Sequence, residues 1–205
     1  HMFFLNSNSL SLFKEKSVLF VPSAVSPSLC FEVRQYILDN ESSIINQYKA
    51  DTRGLVCELV DGSSLIKYFE YPFHFDALFF GRFLTSSLLE AASFLLEGDV
   101  RFVSAEIHSR FPSASEIPPH QDNAYYGLED GRGVTFYISL DPQLPSEGGL
   151  QYLHNPINIE LPHVNSSLPG FSLEIADQSI LGSFDSFLPN YVPGDCSIHH
   201  SRSIH

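Results

Sequence analysis

The chain reads as an α+β fold, with helices gathered in the first half and a β-sandwich or barrel forming the second. Two observations predict this. Helix-compatible apolar spacing falls almost entirely before residue 100, and after it the texture changes to short strand-like runs separated by proline- and glycine-rich loops. With 205 residues, 43% of them hydrophobic, and 18 phenylalanines, the chain can fill the core of one domain, so wholesale disorder is excluded. No linker, internal repeat or low-complexity tract divides it, and the helices are expected to buttress one face of a sheet.

In chain order, 17–21 reads as a buried strand closed by Pro22. Ser26 before Pro27 marks a helix start, because a hydroxyl caps the first N–H groups and proline presets the first turn. From 27 to 49, Val33, Ile37, Leu38, Ile44 and Ile45 keep helical spacing. Val56–Val60 and Leu65–Phe69 read as two strands turning at Asp61-Gly62. Phe73-His74-Phe75 and Phe79-Phe80 could form part of a lid, but core is the expectation. Leu84–Leu96 places Leu84, Leu88, Leu89, Ala92, Leu95 and Leu96 on a helical stripe stopped by Gly98. Arg101–Ile107, Val134–Leu140, Leu150–Leu153, Ser172–Ile175 and Cys196–His200 read as strands, with loops over 111–119, 141–149 and 189–195.

Acidic residues outnumber basic ones 24 to 11, a net charge of -13. Such a surface repels phosphate backbones and anionic lipid, so neither nucleic acid nor a membrane is an expected partner. Cys30, Cys57 and Cys196 are sparse and far apart, which points to small core hydrophobes in a cytoplasmic protein rather than a disulfide framework. No apolar run is long enough to span a membrane. His1-Met2 reads as a cloning remnant, and the ending inside a histidine-rich stretch leads us to expect further residues after His205.

Three segments carry chemistry. In His120-Gln121-Asp122, strand alternation would put His120 and Asp122 on one face and Gln121 on the other, offering a nitrogen and an oxygen to a divalent metal. Pro193-Gly194-Asp195 leads into His199, His200 and His205, any of which could complete a triad of two histidines and a carboxylate. Such a triad leaves open positions on an octahedral ion, a geometry suited to non-haem Fe(II). Between them, Val134, Phe136, Ile138 and Leu140 alternate with Thr135, Tyr137 and Ser139, giving a greasy face and a hydroxyl-bearing face that lines a pocket.

Taken in order, Pro118-Pro119-His120-Gln121-Asp122-Asn123, Phe136-Tyr137-Ile138-Ser139-Leu140-Asp141, Glu147-Gly148-Gly149-Leu150, and Pro193-Gly194-Asp195 with His200 and His205 resemble the phytanoyl-CoA dioxygenase family. The likeness extends upstream over 13–40 and 88–111. It implies a double-stranded β-helix (jelly-roll) core, residues 101–205, buttressed by 3–100, in one oxygenase domain whose C-terminal part lies past residue 205. It also implies an Fe(II)- and 2-oxoglutarate-dependent dioxygenase that consumes O2, releases succinate and carbon dioxide, and oxidises a C–H bond of a small molecule.

By the same resemblance His120, Asp122 and His205 are the catalytic metal ligands, with His199 and His200 as alternatives to His205. Gln121 and Tyr137 match positions close to the cosubstrate, and Thr135 is grouped with them as cofactor-binding. Because halogenating relatives lack the carboxylate, Asp122 implies hydroxylation or a related oxidation. In the family an arginine about ten residues past the distal histidine pairs with the far carboxylate of 2-oxoglutarate. Arg202 precedes His205 and does not match it; Arg110 and Arg132 are the candidates within the chain. Tyr125 and Tyr126 could line a substrate pocket. The acidic balance disfavours a polyanionic acyl-CoA, so a small polar metabolite, amino-acid-like or an antibiotic intermediate, is the expected substrate. Two other classes stay open: a jelly-roll binding module or pseudoenzyme without 2-oxoglutarate turnover, and a metal-dependent isomerase or hydrolase that needs no oxygen.

Overall fold

An asparagine opens the first helix: the Asn6 side chain accepts the Ser9 N–H at 3.1 Å while the Ser9 hydroxyl takes the Asn6 N–H, closing a capping box. The structure is a computed structural model that describes residues 5–49, 54–58, 61–62, 64–111, 115–168 and 171–205. This helix, α1 (Ser7–Lys16), has few apolar residues, and the spacing does not announce it; the cap and the fully buried Phe13 define it.

Strand β1 (Val18–Val21) follows, then α2 (Pro27–Asp39), whose Ser26 cap and leading proline are as the sequence predicts, and α3 (Glu41–Lys49). The helical spacing over 27–49 is divided between these two helices at Asn40. Its side-chain amide turns back to donate to the Tyr36 carbonyl at 2.8 Å, the local competition that makes asparagine a helix end. A hairpin of β2 (Gly54–Glu58) and β3 (Ser64–Glu70) comes next; residues 59 and 60 of the expected Val56–Val60 strand lie outside the described residues.

The turns α4 (Pro72–Phe75) and α5 (Ala77–Phe80) and the helix α6 (Ser86–Leu96) complete the first half. Phe80 is buried with Val33, Ile44 and Ile66, and Phe73, Phe75 and Phe79 pack against them, so these phenylalanines are core as expected. Instead of a strand over 101–107, only β4 (Glu106–His108) forms, paired with β3.

In the second half the elements are the turn α7 (Asn123–Tyr126), β5 (Val134–Ile138), β6 (Tyr152–His154), β7 (His163–Asn165), β8 (Leu173–Ile175), β9 (Asp185–Phe187) and β10 (Cys196–His200). All pairings are antiparallel: β1-β10-β5 and β2-β3-β4 form three-stranded sheets, and β6-β9 and β7-β8 form two-stranded ones. The tight turn into β10 needs Gly194 at φ +97, where a side chain would collide with the Val25 carbonyl. Asp195 locks that turn by accepting the Val192 and Ser23 N–H groups, each at 2.9 Å.

Register in the β1-β10-β5 sheet sorts the side chains into two faces. His199 stands opposite Thr135 and Val18, and Ser197 opposite Tyr137 and Phe20, so these share one face. On the other, Leu19, Cys196 and Ile198 are buried with Phe13 of α1 and Leu95 of α6, and Val134, Phe136 and Ile138 pack against them. The alternation read in Val134–Leu140 therefore holds, with the greasy side under the helices. Cys30 and Cys196 are buried and free, as expected of core cysteines, while the Cys57 side chain lies outside the described residues. Among the described residues no single helix is long and apolar enough to cross a membrane.

Candidate metal centre

His120 and His205 are brought side by side by their own backbones. The His120 N–H donates to the His205 carbonyl at 3.0 Å and the His205 N–H to the His120 carbonyl at 3.1 Å. Residues that exchange both bonds project their side chains to the same side, and the two imidazole centroids lie 4.4 Å apart. Neither residue sits in a regular strand. The strand expected through His120–Asp122 is a correction: Asp122 has helical backbone angles (φ -56, ψ -30), and its carbonyl accepts the Tyr125 and Tyr126 N–H groups as α7 begins. Asp122 nonetheless shares a side with His120.

Gln121 explains why the segment holds this shape. Its side-chain amide donates to the Ile159 carbonyl at 2.9 Å and the Arg202 carbonyl at 2.6 Å, and its oxygen accepts the Leu161 N–H at 2.8 Å. Fully buried, it clamps the 159–161 loop and the turn before His205 to the residue between the two ligand candidates. Gln121, which the family resemblance puts close to the cosubstrate, has both amide hydrogens spent on backbone carbonyls. Asn155, which the sequence did not single out, supports the same turn, accepting the Ile204 N–H at 3.0 Å and donating to Arg202 O at 2.9 Å.

The cluster so formed is His120, Asp122 and His205, with one candidate ligand atom from each lying within 4.8 Å of the others. Nε2 of His120 is 3.8 Å, and that of His205 3.5 Å, from Asp122 Oδ1. Both Nδ1 atoms face carbonyls, Pro118 O at 2.8 Å and Ser203 O at 3.1 Å, so each ring carries its proton there and keeps its Nε2 lone pair for the centre. The side chains of His120, Asp122 and His205 are only 11%, 14% and 9% exposed. The centre is nearly dry but reaches solvent.

The other carboxylate oxygen, Oδ2, is held by donors: Thr135 Oγ1 at 3.0 Å, Tyr126 Oη at 3.4 Å and His199 Nε2 at 3.2 Å. Burial by itself would raise the Asp122 carboxyl, but His205, His199 and His120 around it prevail and hold it well below the usual carboxylate range. Burial, followed by the neighbouring His120, pushes His205 down to about 3, so its ring is neutral near pH 7. A carboxylate and two neutral imidazoles are the protonation states that ligate a divalent metal. With ligand bonds of about 2.1 Å, cis ligand atoms lie about 3 Å apart, so small inward shifts suffice and the residues fit such an ion.

The alternatives to His205 are separated by geometry. His200 points to the opposite face, its ring edge-on to Phe13 at 5.9 Å and its Nδ1 accepting the Arg202 N–H at 3.1 Å. His199 has both nitrogens engaged, Nδ1 with Tyr152 Oη at 2.9 Å and Nε2 with Asp122. Thr135 reaches the centre only through Asp122. Tyr137, on the same face, donates to Gln143 Oε1 at 2.8 Å, and burial raises its phenol. Arg132 is tied to Asp130 in an exposed turn at 2.6 Å, whereas the Arg110 charge acts on Tyr137. Over the opening, Tyr126 turns its hydroxyl inward, where burial and then the Asp122 charge raise it well above the ordinary phenol value.

No protein-family model matches this chain, and no curated protein matches it in sequence. Solved structures do. EvdO2 from Micromonospora carbonacea var. aurantiaca, complexed with 2-oxoglutarate, is 17% identical, with a TM-score of 0.67 over 100% of this chain and 84% of its own. EctD from S. alaskensis, with bound Fe, is 13% identical, with a TM-score of 0.73 over 98% of this chain and 70% of its own. SnoK, a non-haem alpha-ketoglutarate-dependent carbocyclase from nogalamycin biosynthesis, is 15% identical, with a TM-score of 0.69 over 98% and 76%. The likeness is one of fold.

Proposed function

We propose that this chain is a non-haem Fe(II)- and 2-oxoglutarate-dependent dioxygenase of the phytanoyl-CoA dioxygenase type, built as one oxygenase domain on a double-stranded β-helix. The observation that carries this reading is the convergence of His120 Nε2, Asp122 Oδ1 and His205 Nε2 at a nearly dry floor open to solvent. Structural neighbours that hold Fe or 2-oxoglutarate support it.

In this reading, His120, Asp122 and His205 would hold ferrous iron, a set of three protein ligands that leaves room for a cosubstrate. Iron so held supplies, with 2-oxoglutarate and dioxygen, the oxidising power to attack an unactivated C–H bond, with succinate and carbon dioxide released. The protein's own part is positional. Thr135, Tyr126 and His199 fix the Asp122 carboxylate through Oδ2. Tyr137 and the Arg110 charge supply polar groups on the side assigned to the cosubstrate. Tyr125 and Tyr126, half-exposed over the opening, limit water and line the approach of a small polar substrate. The Asp122 carboxylate favours hydroxylation or a related oxidation over halogenation. Against a surface of net charge -13, neither nucleic acid nor a membrane is a partner, and the protein acts in the cytoplasm.

Anaerobic titration of the chain with Fe(II) and then 2-oxoglutarate tests the reading. An oxygenase develops a weak visible charge-transfer band and, once oxygen is admitted, forms succinate without added substrate. A chain that does neither is a binding module, and one that turns substrate over without oxygen is an isomerase or hydrolase.

A further inference from the structure

His199 stands beside the Asp122 carboxylate without joining the metal cluster, and what holds it there belongs to another sheet. Its Nε2 is 3.2 Å from Asp122 Oδ2 and its Nδ1 is 2.9 Å from Tyr152 Oη. A ring lone pair and a carboxylate oxygen would repel at that distance, so Nε2 carries a proton toward Oδ2, and in the neutral ring Nδ1 is the acceptor. Tyr152 Oη must then be the donor. Its proton is always present, because burial, followed by the neighbouring Tyr191, holds the phenol well above its ordinary value.

This tautomer is the reverse of the one adopted by His120 and His205, whose protons sit on Nδ1 against carbonyls. Yet the His199 ring lies only 4.6 Å from that of His205. Two tautomers are thus kept apart within one cluster, and the His199 one is held from both ends, by Asp122 at Nε2 and by the fully buried Tyr152, on β6, at Nδ1. Without the Tyr152 hydroxyl, one of the two anchors of the ring is lost. The ring is then held by Asp122 alone, and the orientation that fixes Oδ2 loosens.

From this we infer that Tyr152 and His199 are positioning residues: Tyr152, bonded to Nδ1, holds the His199 ring in the orientation and tautomer that grip Asp122 Oδ2, leaving Oδ1 as the oxygen presented to the metal. The inference rests on the metal-centre reading for its purpose, though the hydrogen-bond relay exists without metal.

Tyr152→Phe, His199→Phe and the double variant are compared, with Co(II) as the probe ion. Tyr152→Phe keeps the ring and its packing. Loss of a group that orients a ligand typically weakens metal binding about 10–100-fold, and each single variant should fall in that range, with the double variant no weaker than His199→Phe alone. His199→Gln, whose amide donates to Asp122 without a tautomer choice, should recover most of the affinity that His199→Phe loses. Nitrogen NMR of the metal-free histidine rings should show one site imidazole protonated at Nε2 in the native chain and a mixture in Tyr152→Phe. Unchanged Co(II) affinity in Tyr152→Phe, losses that simply multiply in the double variant, or an unchanged tautomer overturns the relay. A native chain that binds no Co(II) overturns the metal-centre reading instead, and the tautomer measurement still decides the relay by itself.

Discussion

The two faces of the β1-β10-β5 sheet are made by the same strands and held by different forces. Under α1 and α6, Leu19, Cys196 and Ile198 bury apolar surface against Phe13 and Leu95. That force is non-directional and scales with area, about 25 cal/mol per Å² removed from water. Across the sheet, Thr135, Tyr137, Ser197 and His199 make directed hydrogen bonds to Asp122, Gln143, Tyr191 and Tyr152. Neighbours in sequence, Ile198 and His199, are both almost wholly buried yet have opposite duties. One face should tolerate changes of shape but not loss of volume, and the other should tolerate neither a lost donor nor a reversed one.

The comparison breaks most plainly at Asp122. Asp122→Ala should abolish Fe(II) binding and succinate formation in a protein that still folds, measured by anaerobic titration and circular dichroism; full activity would mean that the triad is misassigned. Next in size, Ile198→Ala should cost about 2–5 kcal/mol of stability in urea unfolding while the folded protein binds Fe(II) as before. A matching drop in metal affinity would show that the faces are coupled.

A pH test sharpens the same contrast. His200 lies on the apolar face, and burial, then the Arg202 charge, lowers it to about 4. Its folded value is below the unfolded one of 6.5, so the unfolded chain binds the extra proton first. The stability gained from keeping the ring neutral is complete above about pH 6.5 and is lost as pH falls toward 4, about 3 kcal/mol in all. His200→Asn, which keeps an acceptor for the Arg202 N–H, should show a shallower decline over that window in denaturant midpoints. The smallest effect is expected at Thr135→Val, near-isosteric but without the donor to Oδ2. Fe(II) affinity should fall about tenfold, with unfolding free energy changed by about 1 kcal/mol.

Much of this arrangement is legible in the residues themselves. Ser26-Pro27 marks its helix start, and Asp61-Gly62 its hairpin. Val134–Leu140 declares two faces, and the family resemblance names His120, Asp122 and His205, the three side chains that meet. What escapes a linear reading depends on partners distant in sequence. The helical spacing over 27–49 does not show the break at Asn40, where the side-chain amide turns back on Tyr36. The apolar run over 101–107 lacks a neighbouring strand for most of its length, so only Glu106–His108 pairs. That Gln121 clamps the 159–161 loop to the Arg202 carbonyl appears only when those segments fold onto it. Tyr152 gives no signal at all, since its bond to His199 joins two separate sheets.

The sequence by itself determined which residue types could hold a divalent ion, and strand alternation already put His199 and His200 on opposite sides. Only the tertiary structure decided among the three C-terminal histidines. Alternation is a property of one strand's backbone, whereas the ring of His205 is aimed by a paired hydrogen bond to His120 and by a turn tied down through Gln121 and Asn155. Those contacts join residues far apart in the chain, and they exist only once the sheets have packed.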